Sequence, residues 1–326
     1  MEQHRQDWAT GKVSSLDRES IWRHGELFYG PEQLDWEEAW NGLLDRGWIV
    51  QREEGYRLGE GIRPRAEEIR KAHLAEGFGR LQIRCHGSPA YRELCRRVFG
   101  PDLLPFSLTE ERQLAAVADL LARRPRARVL DLGCGIGTLT EALRQRTGEA
   151  FTGVDLSGSA IRYARRRFAG GGAGGAEDLS FQSADLDSWQ PPPGTYDAVV
   201  GIDVLYFLDD LASTLRRLLR VLPSGGEMLF LCSDLAEGPG DGSLPRSSRL
   251  SRALKPLPAG LHMGDFSAVE EELWRRQVSA VEDLREAFDG EGNGDLAEML
   301  GREAGRGARW AAEGRIRRYL YRAVKD

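Results

Sequence analysis

From Asp131 to Gly137 the chain reads Asp-Leu-Gly-Cys-Gly-Ile-Gly, at the end of an apolar run. Glycine at alternating positions between a strand and a helix meets two needs. The turn is sharp, and the main chain must lie against a ligand that a Cβ would hold away. Asp155 closes the next apolar run, 22 positions after Gly133. A carboxylate there can accept both hydroxyls of a ribose. Asp185, within Ser183-Ala184-Asp185-Leu186-Asp187, follows a third run and could take an adenine amino proton. Asp203 and Tyr206, within Gly201-Ile202-Asp203-Val204-Leu205-Tyr206-Phe207, leave a fourth run over the same crevice. Singly, each acid has a plainer use: Asp131 or Asp185 could cap a helix, and Asp155 could shape the turn before Ser157. Their joint spacing points to one shared ligand. No Gly-Lys-Ser/Thr accompanies the loop, so a P-loop phosphate cradle has no support.

Such a set works only if strands deliver all these residues to one edge of a sheet. Ser107-Leu108-Thr109-Glu110 reads as a capping box, opening a helix with Leu114, Val117 and Leu121 on one face. Strands are expected at 126–132, 151–155, 179–183, 196–202 and 227–232. Helices through Leu139 and Leu143, through Ile161, Ala164 and Phe168 behind the cap Ser157, and through Leu211, Leu215, Leu218 and Leu219 alternate with them. This rhythm predicts an α/β fold with a doubly wound parallel sheet and its ligand at the carboxyl ends of the strands. Beyond it, 237–248 is a Gly/Pro/Ser-rich loop. Ser267-Ala268-Val269-Glu270 reads as a second capping box, before a helix through Trp274, Val278, Val281 and Leu284. A further helix at 296–310 and a strand at 317–324 close the chain. The helical stretch at about 268–313 reads as an insertion capping the active-site face, or as an ordinary packed pair.

A different pattern precedes residue 106. Trp36, Trp40, Leu43 and Leu44 mark an amphipathic helix stopped by Gly47, and 48–52 and 56–58 flank a Glu53-Glu54-Gly55 turn. Helix then wing suggests DNA binding, but Glu37, Glu38 and Asp45 would repel phosphate, which favours a dimerisation or lid module. Helices over 64–84 and 88–98 complete a mainly helical N-terminal domain, 1–106, ahead of a catalytic domain, 107–326.

Apolar side chains make up 41% of the 326 residues, with 39 glycines besides. That is enough for a buried core and argues against a disordered chain. The formal charge of −6 argues against a sequence-independent grip on nucleic acid. No run of about 20 apolar residues suggests a membrane helix, and the first residues lack a secretory core. Cys85, Cys95, Cys134 and Cys232 form no Cys-x-x-Cys pair and no zinc spacing, so no metal is expected and reduced thiols suit a cytoplasmic protein.

Taken together, the glycine loop, Asp155, Asp185, the strand Tyr196-Asp197-Ala198-Val199-Val200 and the Pro223-Ser224-Gly225-Gly226 turn resemble, in order, the cofactor motifs of the class I S-adenosylmethionine-dependent methyltransferases. The resemblance covers about 107–232. It implies a Rossmann-like, mostly parallel seven-stranded sheet with helices on both faces. It places Gly133, Cys134, Gly135 and Gly137 against the methionine part of the cofactor and Asp131 near its amino group. Asp155 with Leu156 would lie at the ribose, and Asp185 with the Leu186 backbone at the adenine. The segment from His86-Gly87-Ser88 through Tyr91 to Ser107 resembles the piece that folds over cofactor and substrate in small-molecule members. Asp203, Tyr206 and Tyr91 are the candidate acceptor-side residues, with Asp203 also bordering the cofactor. In some relatives a histidine follows four places after the Asp203 position; here that place is Phe207, which leaves a histidine-assisted mechanism unsupported. The implied reaction is methyl transfer to a small molecule, an amine before oxygen, sulfur or carbon. The alternatives are a nucleic-acid methyltransferase, for which no Asn-Pro-Pro-Tyr-type sequence follows the fourth strand, a cofactor-sensing winged-helix regulator, and a dinucleotide oxidoreductase. A homodimer through the N-terminal module is compatible with all of this.

Overall fold

The strand that leads into the glycine loop, Arg128–Leu132, has four consecutive buried residues after Arg128, as expected of a strand covered on both faces. The computed structural model describes residues 41, 44–45, 49–52, 55–58, 63–101, 103–123, 127–169, 178–236, 245 and 248–326. The chain separates into two compact units, Met1–Gly77 and Phe78–Asp326. The division therefore falls earlier than residue 106, and the segment from Phe78 to residue 106 packs with the second unit. In the first unit β1 (Ile49–Arg52) and β2 (Gly55–Leu58) pair antiparallel with Arg52 opposite Gly55. Of the helix expected through Trp36, Trp40, Leu43 and Leu44, residues 41, 44 and 45 are described and helical, and Trp36, Trp40 and Leu43 lie outside the described residues.

α1 (Arg63–Gly87) and α2 (Pro89–Val98) lead into α3 (Glu111–Leu121). β3 (Arg128–Leu132) is followed by α4 (Thr138–Thr147), β4 (Ala150–Asp155), α5 (Gly158–Arg167), β5 (Leu179–Ser183) and β6 (Ala198–Ile202). A short 3-10 turn (Leu205–Phe207), α6 (Leu211–Val221) and β7 (Glu227–Leu235) come next. The remainder is α7 (Arg249–Leu254), β8 (Ala259–Asp265), α8 (Ser267–Asp283), α9 (Arg285–Gly290), α10 (Gly294–Ala312) and β9 (Ile316–Lys325). The larger sheet has seven strands in the order β5-β4-β3-β6-β7-β9-β8. Only β9 breaks the parallel sense, antiparallel to both β7 and β8.

The pleat sorts the core into two layers. Ala198, Val200 and Ile202 of β6 join Val129, Leu229 and Leu231 under α2, α3, α8 and α10. Val199 joins Leu130, Leu132, Met228 and Phe230 under α6 and α7. Phe288 of α9 is fully buried in the first layer, so the helices between β8 and β9 are part of the core.

Three local expectations change. Glu110, not Ser107, caps α3: its carboxylate accepts from Gln113 N at 3.2 Å while Gln113 accepts from Glu110 N at 3.1 Å. The second capping box does not form. Asp265 accepts from Ser267 N at 2.8 Å, and Glu270 turns inward instead of back to the cap. The seventh strand, β8, lies where no strand was expected, because Gly260 and Gly264 interrupt its pattern and its edge position leaves it exposed on both faces.

Candidate active site

The loop after β3 turns through left-handed backbone at Gly133 (φ 64°), Gly135 (φ 54°) and Gly137 (φ 78°). Side chains with a Cβ enter that region only at a cost. The loop is also pressed on from three sides. A Cβ on Gly133 would sit 2.4 Å from Val204, and one on Gly137 2.6 Å from Phe181. One on Gly135 would sit 2.2 Å from Gln82 Oε1. The turn is pinned to the neighbouring strand, Gly133 N and Cys134 N both donating to Val154 O at 2.7 and 3.2 Å.

Asp155 is brought directly to this loop. Its Oδ2 accepts from Gly135 N at 2.9 Å and its Oδ1 from Ser157 N at 2.8 Å. The two bonds fix the carboxylate at the carboxyl edge of the sheet. A carboxylate oxygen has two lone pairs, so one that already accepts from the backbone can accept from a hydroxyl as well. Asp131 lies beneath, buried, accepting from Thr140 Oγ1 at 2.6 Å. Burial pushes its carboxyl up to about 7, with the Thr140 bond pulling down and the Asp155 charge adding to the rise. A cation arriving beside it would be favoured, because an opposite charge relieves that penalty. Asp185 accepts from Asp187 N at 3.0 Å through its Oδ1, an Asx turn that orients the segment. Leu186 sends its side chain into the core, so only its main chain is left for a ligand. Leu156 is half-buried beside Asp155. The Cys134 side chain packs against Gly153 and Phe181, which likewise leaves its backbone as the part facing the crevice.

Asp203 follows β6 with φ 53°, in the left-handed region. Its neighbour Val204 is the residue that presses on Gly133, so the two loops touch. Tyr206 and Phe207, each 53% exposed, stand on the turn that follows. Their rings are 4.7 Å apart, and Phe207 meets Phe78 at 5.5 Å, which in turn meets Phe106 at 6.4 Å. Tyr206 shows half its area yet is ringed by protein, as a side chain facing a cleft is. That crowding, with the Asp203 charge, holds its phenol well above the ordinary value. Neither aromatic is the core residue it could have been. Tyr91, by contrast, is 5% exposed, and its hydroxyl donates to Pro105 O at 2.8 Å. It forms one wall of a small hollow shared with Gln82, His86, Phe106 and Ile136, and its hydroxyl is taken.

Four residues here carry no local sequence signal. Gln82 of α1 accepts from Ile136 N at 3.1 Å and covers Gly135. Arg318 of β9 grips Asp203, as described below. Glu270 lies behind it. Glu303 of α10 keeps an exposed side chain, and its charge makes the smallest contribution to the rise of Tyr91 and of Tyr206.

The glycine loop, the carboxylate of Asp155 and the buried acid Asp131 fit the sugar and amino group of an adenosyl amino acid, with Gln82 lying over Gly135. Residues 129–226 match the sequence profile of the methyltransferase domain family. A trans-aconitate 2-methyltransferase of Azoarcus sp. is 34% identical over 192 residues, 53% of this chain and 70% of that protein. One of Methylobacterium nodulans is 39% identical over 147 residues, 42% of this chain and 54% of that protein. The chain thus spans just over half the length of several curated relatives it matches. Among solved structures, a Haemonchus contortus phosphoethanolamine N-methyltransferase 2 bound to S-adenosyl-L-methionine superposes with a TM-score of 0.60 at 18% identity, over 72% of this chain and 56% of that one. Strand order, glycine loop and the extent of the Azoarcus match converge, and the chain belongs to the class I S-adenosylmethionine-dependent methyltransferases.

Proposed function

We propose that this protein transfers a methyl group from S-adenosylmethionine to a small-molecule amine. The observation that carries the reading is the contact of two loops: Gly133, in the cradle, touches Val204, next to Asp203 on the acceptor side. S-adenosylmethionine supplies an electrophilic methyl group when held in that cradle. The protein's part is placement, since in-line displacement needs little covalent help and gains most from fixed geometry and excluded water. Asp155 would hold the ribose, Asp185 and the Leu186 main chain the adenine, and Asp131 the amino group. Gln82, over Gly135, would close the cradle from above.

An amine is favoured on the acceptor side by its lining. Phe78, Phe106, Tyr206 and Phe207 offer partly exposed ring faces to a cation, Glu303 adds an exposed carboxylate, and Asp203, its charge paired with Arg318, offers only its remaining lone pairs. Glu303, an exposed carboxylate whose charge reaches Tyr206, would take the proton an ammonium must lose before it can attack. The names of the relatives suggest a carboxylate acceptor instead. The guanidinium of Arg318 would be its natural partner, but it is wholly buried and its four Nη hydrogens already have acceptors, which leaves only an enclosed Nε–H. Transfer of labelled methyl to phosphoethanolamine, dimethylglycine and trans-aconitate, with product mass spectrometry, tests both levels. Label on nitrogen is expected. Label on trans-aconitate alone would refute the amine preference, and no label in these or in a pooled metabolite extract would refute methyl transfer.

A further inference from the structure

Arg318 is wholly buried on β9, 115 positions from Asp203 in the chain. Its Nη1 donates to Asp203 Oδ1 at 2.9 Å and to Ser233 Oγ at 2.9 Å. Its Nη2 donates to Asp203 Oδ2 at 2.8 Å and to Thr109 Oγ1 at 3.1 Å. The Ser233 hydroxyl donates in turn to Glu270 Oε1 at 2.7 Å, which also accepts from Trp274 Nε1 at 3.3 Å. Strands β7 and β9, the loop after β6, the approach to α3, and α8 therefore meet at one guanidinium.

What that guanidinium holds is unusual. Among the described residues Asp203 is the one non-glycine with positive φ. Left-handed φ is uncommon for a residue with a Cβ, though aspartate tolerates it better than most, and such residues cluster at functional sites. The planar fork of arginine supplies the constraint, since two parallel bonds fix both position and rotation of a carboxylate, as a lysine cannot.

We infer that Arg318 is a positioning residue for methyl transfer, fixing the carboxylate and left-handed backbone of Asp203 beside the acceptor while Thr109, Ser233 and Glu270 steady the guanidinium from behind. The inference rests on the reading above that Asp203 faces the acceptor. The electrostatics agree. Burial raises the Glu270 carboxyl, against the pull of Arg318 and of the Ser233 bond. Burial alone would lower Arg318, but the Asp203 carboxylate, with a smaller share from Glu270, outweighs it and holds the charge in place. A buried ion pair kept for stability alone would not need to grip a strained residue at the mouth of the crevice.

The test compares full-length wild type with Arg318→Gln, Arg318→Lys and the neutral pair Asp203→Asn/Arg318→Gln. S-adenosylhomocysteine binding by calorimetry, labelled methyl transfer into a mixture of primary and secondary amines, melting temperature and crystal structures are read in parallel. For Arg318→Gln, affinity for S-adenosylhomocysteine should stay within about threefold while transfer falls about 100-fold, the cost of roughly 1 Å of misplacement. Its crystals should show the Asp203 carboxylate displaced by about 1 Å and φ out of the left-handed region. Arg318→Lys, which keeps the charge without the fork, should recover stability and less than about a tenth of the rate, and it carries the comparison if the glutamine variant does not fold. The neutral pair should recover melting temperature without turnover. An Asp203 that keeps its place and φ in the variant crystals, or transfer that merely tracks the folded fraction, overturns the inference. Wild type that binds no S-adenosylhomocysteine would sink the methyltransferase reading of the crevice, with the grip on Asp203 still judged by its position in the variant crystals.

Discussion

Asp155→Ala is the sharpest perturbation of the cradle. The side chain accepts from Gly135 N at 2.9 Å and from Ser157 N at 2.8 Å, and it is the proposed acceptor for the ribose hydroxyls. Truncation frees two backbone donors and removes two acceptors for the sugar. Hydrogen bonds to a charged group contribute about 1.5–3 kcal/mol each, and at this half-buried position the lower figure applies. Water can reach Gly135 N once the carboxylate is gone, so most of the backbone cost is recovered and the ribose share dominates. A loss of about 1.5–3 kcal/mol in cofactor affinity, roughly 10- to 100-fold, follows. Calorimetric titration of S-adenosylhomocysteine into wild type, Asp155→Ala and Asp155→Glu reads it directly. The glutamate, one methylene longer, should lose less than the alanine. Unchanged affinity in Asp155→Ala, with a normal melting curve, would refute the ribose assignment and with it the reading of the acid after β4.

Other expectations follow from single features. Asp131 sits at about 7 in the free protein. A cationic amino group beside it would favour the ionised form, so below that pH binding releases a proton that the free protein holds. Affinity for S-adenosylhomocysteine should therefore be flat above pH 7 and fall by up to about 10-fold per unit below it, a slope that Asp131→Asn removes; a titration showing the same slope in both proteins would contradict the role. Gly135→Val places a β-branched residue at left-handed φ and a Cβ 2.2 Å from Gln82 Oε1. Gln82 can swing away but the backbone cannot, so S-adenosylhomocysteine binding by calorimetry should be abolished. Phe288→Ala, within the core beneath α8–α10, should cost about 3–5 kcal/mol by urea denaturation with little change in cofactor affinity. Glu303→Gln should lower labelled-methyl transfer at neutral pH more than it lowers affinity for the cofactor, since it leaves the cradle intact and removes the proposed proton acceptor.

The cradle was legible because its signal is local. A glycine turn advertises its need for positive φ, and a strand ending in aspartate puts that aspartate at the sheet edge wherever the strand lies. The partner of Asp203 was not legible. Arg318 sits in Ile-Arg-Arg-Tyr-Leu-Tyr, where it reads like its exposed neighbour Arg317, and only the antiparallel register that pairs β9 with β7 turns it under the active site. Gln82 was hidden for the same reason, as one polar residue on a long helix. Ser107 and Glu110 satisfied the spacing of a capping box, but Glu110 caps the helix itself because Gln113 reciprocates. Tyr91 reads as a site residue by its place in the chain, and the Pro105 carbonyl, 14 positions on, takes its hydroxyl.

The most direct test is a crystal structure with S-adenosylhomocysteine soaked in. Density is expected along the residue 133–137 main chain, with ribose hydroxyls bonded to Asp155, the adenine beside Asp185 and the sulfur facing Asp203. Density for the ligand on another surface, or a crevice filled by Gln82 and its neighbours that excludes it at saturating concentration, would contradict the assignment.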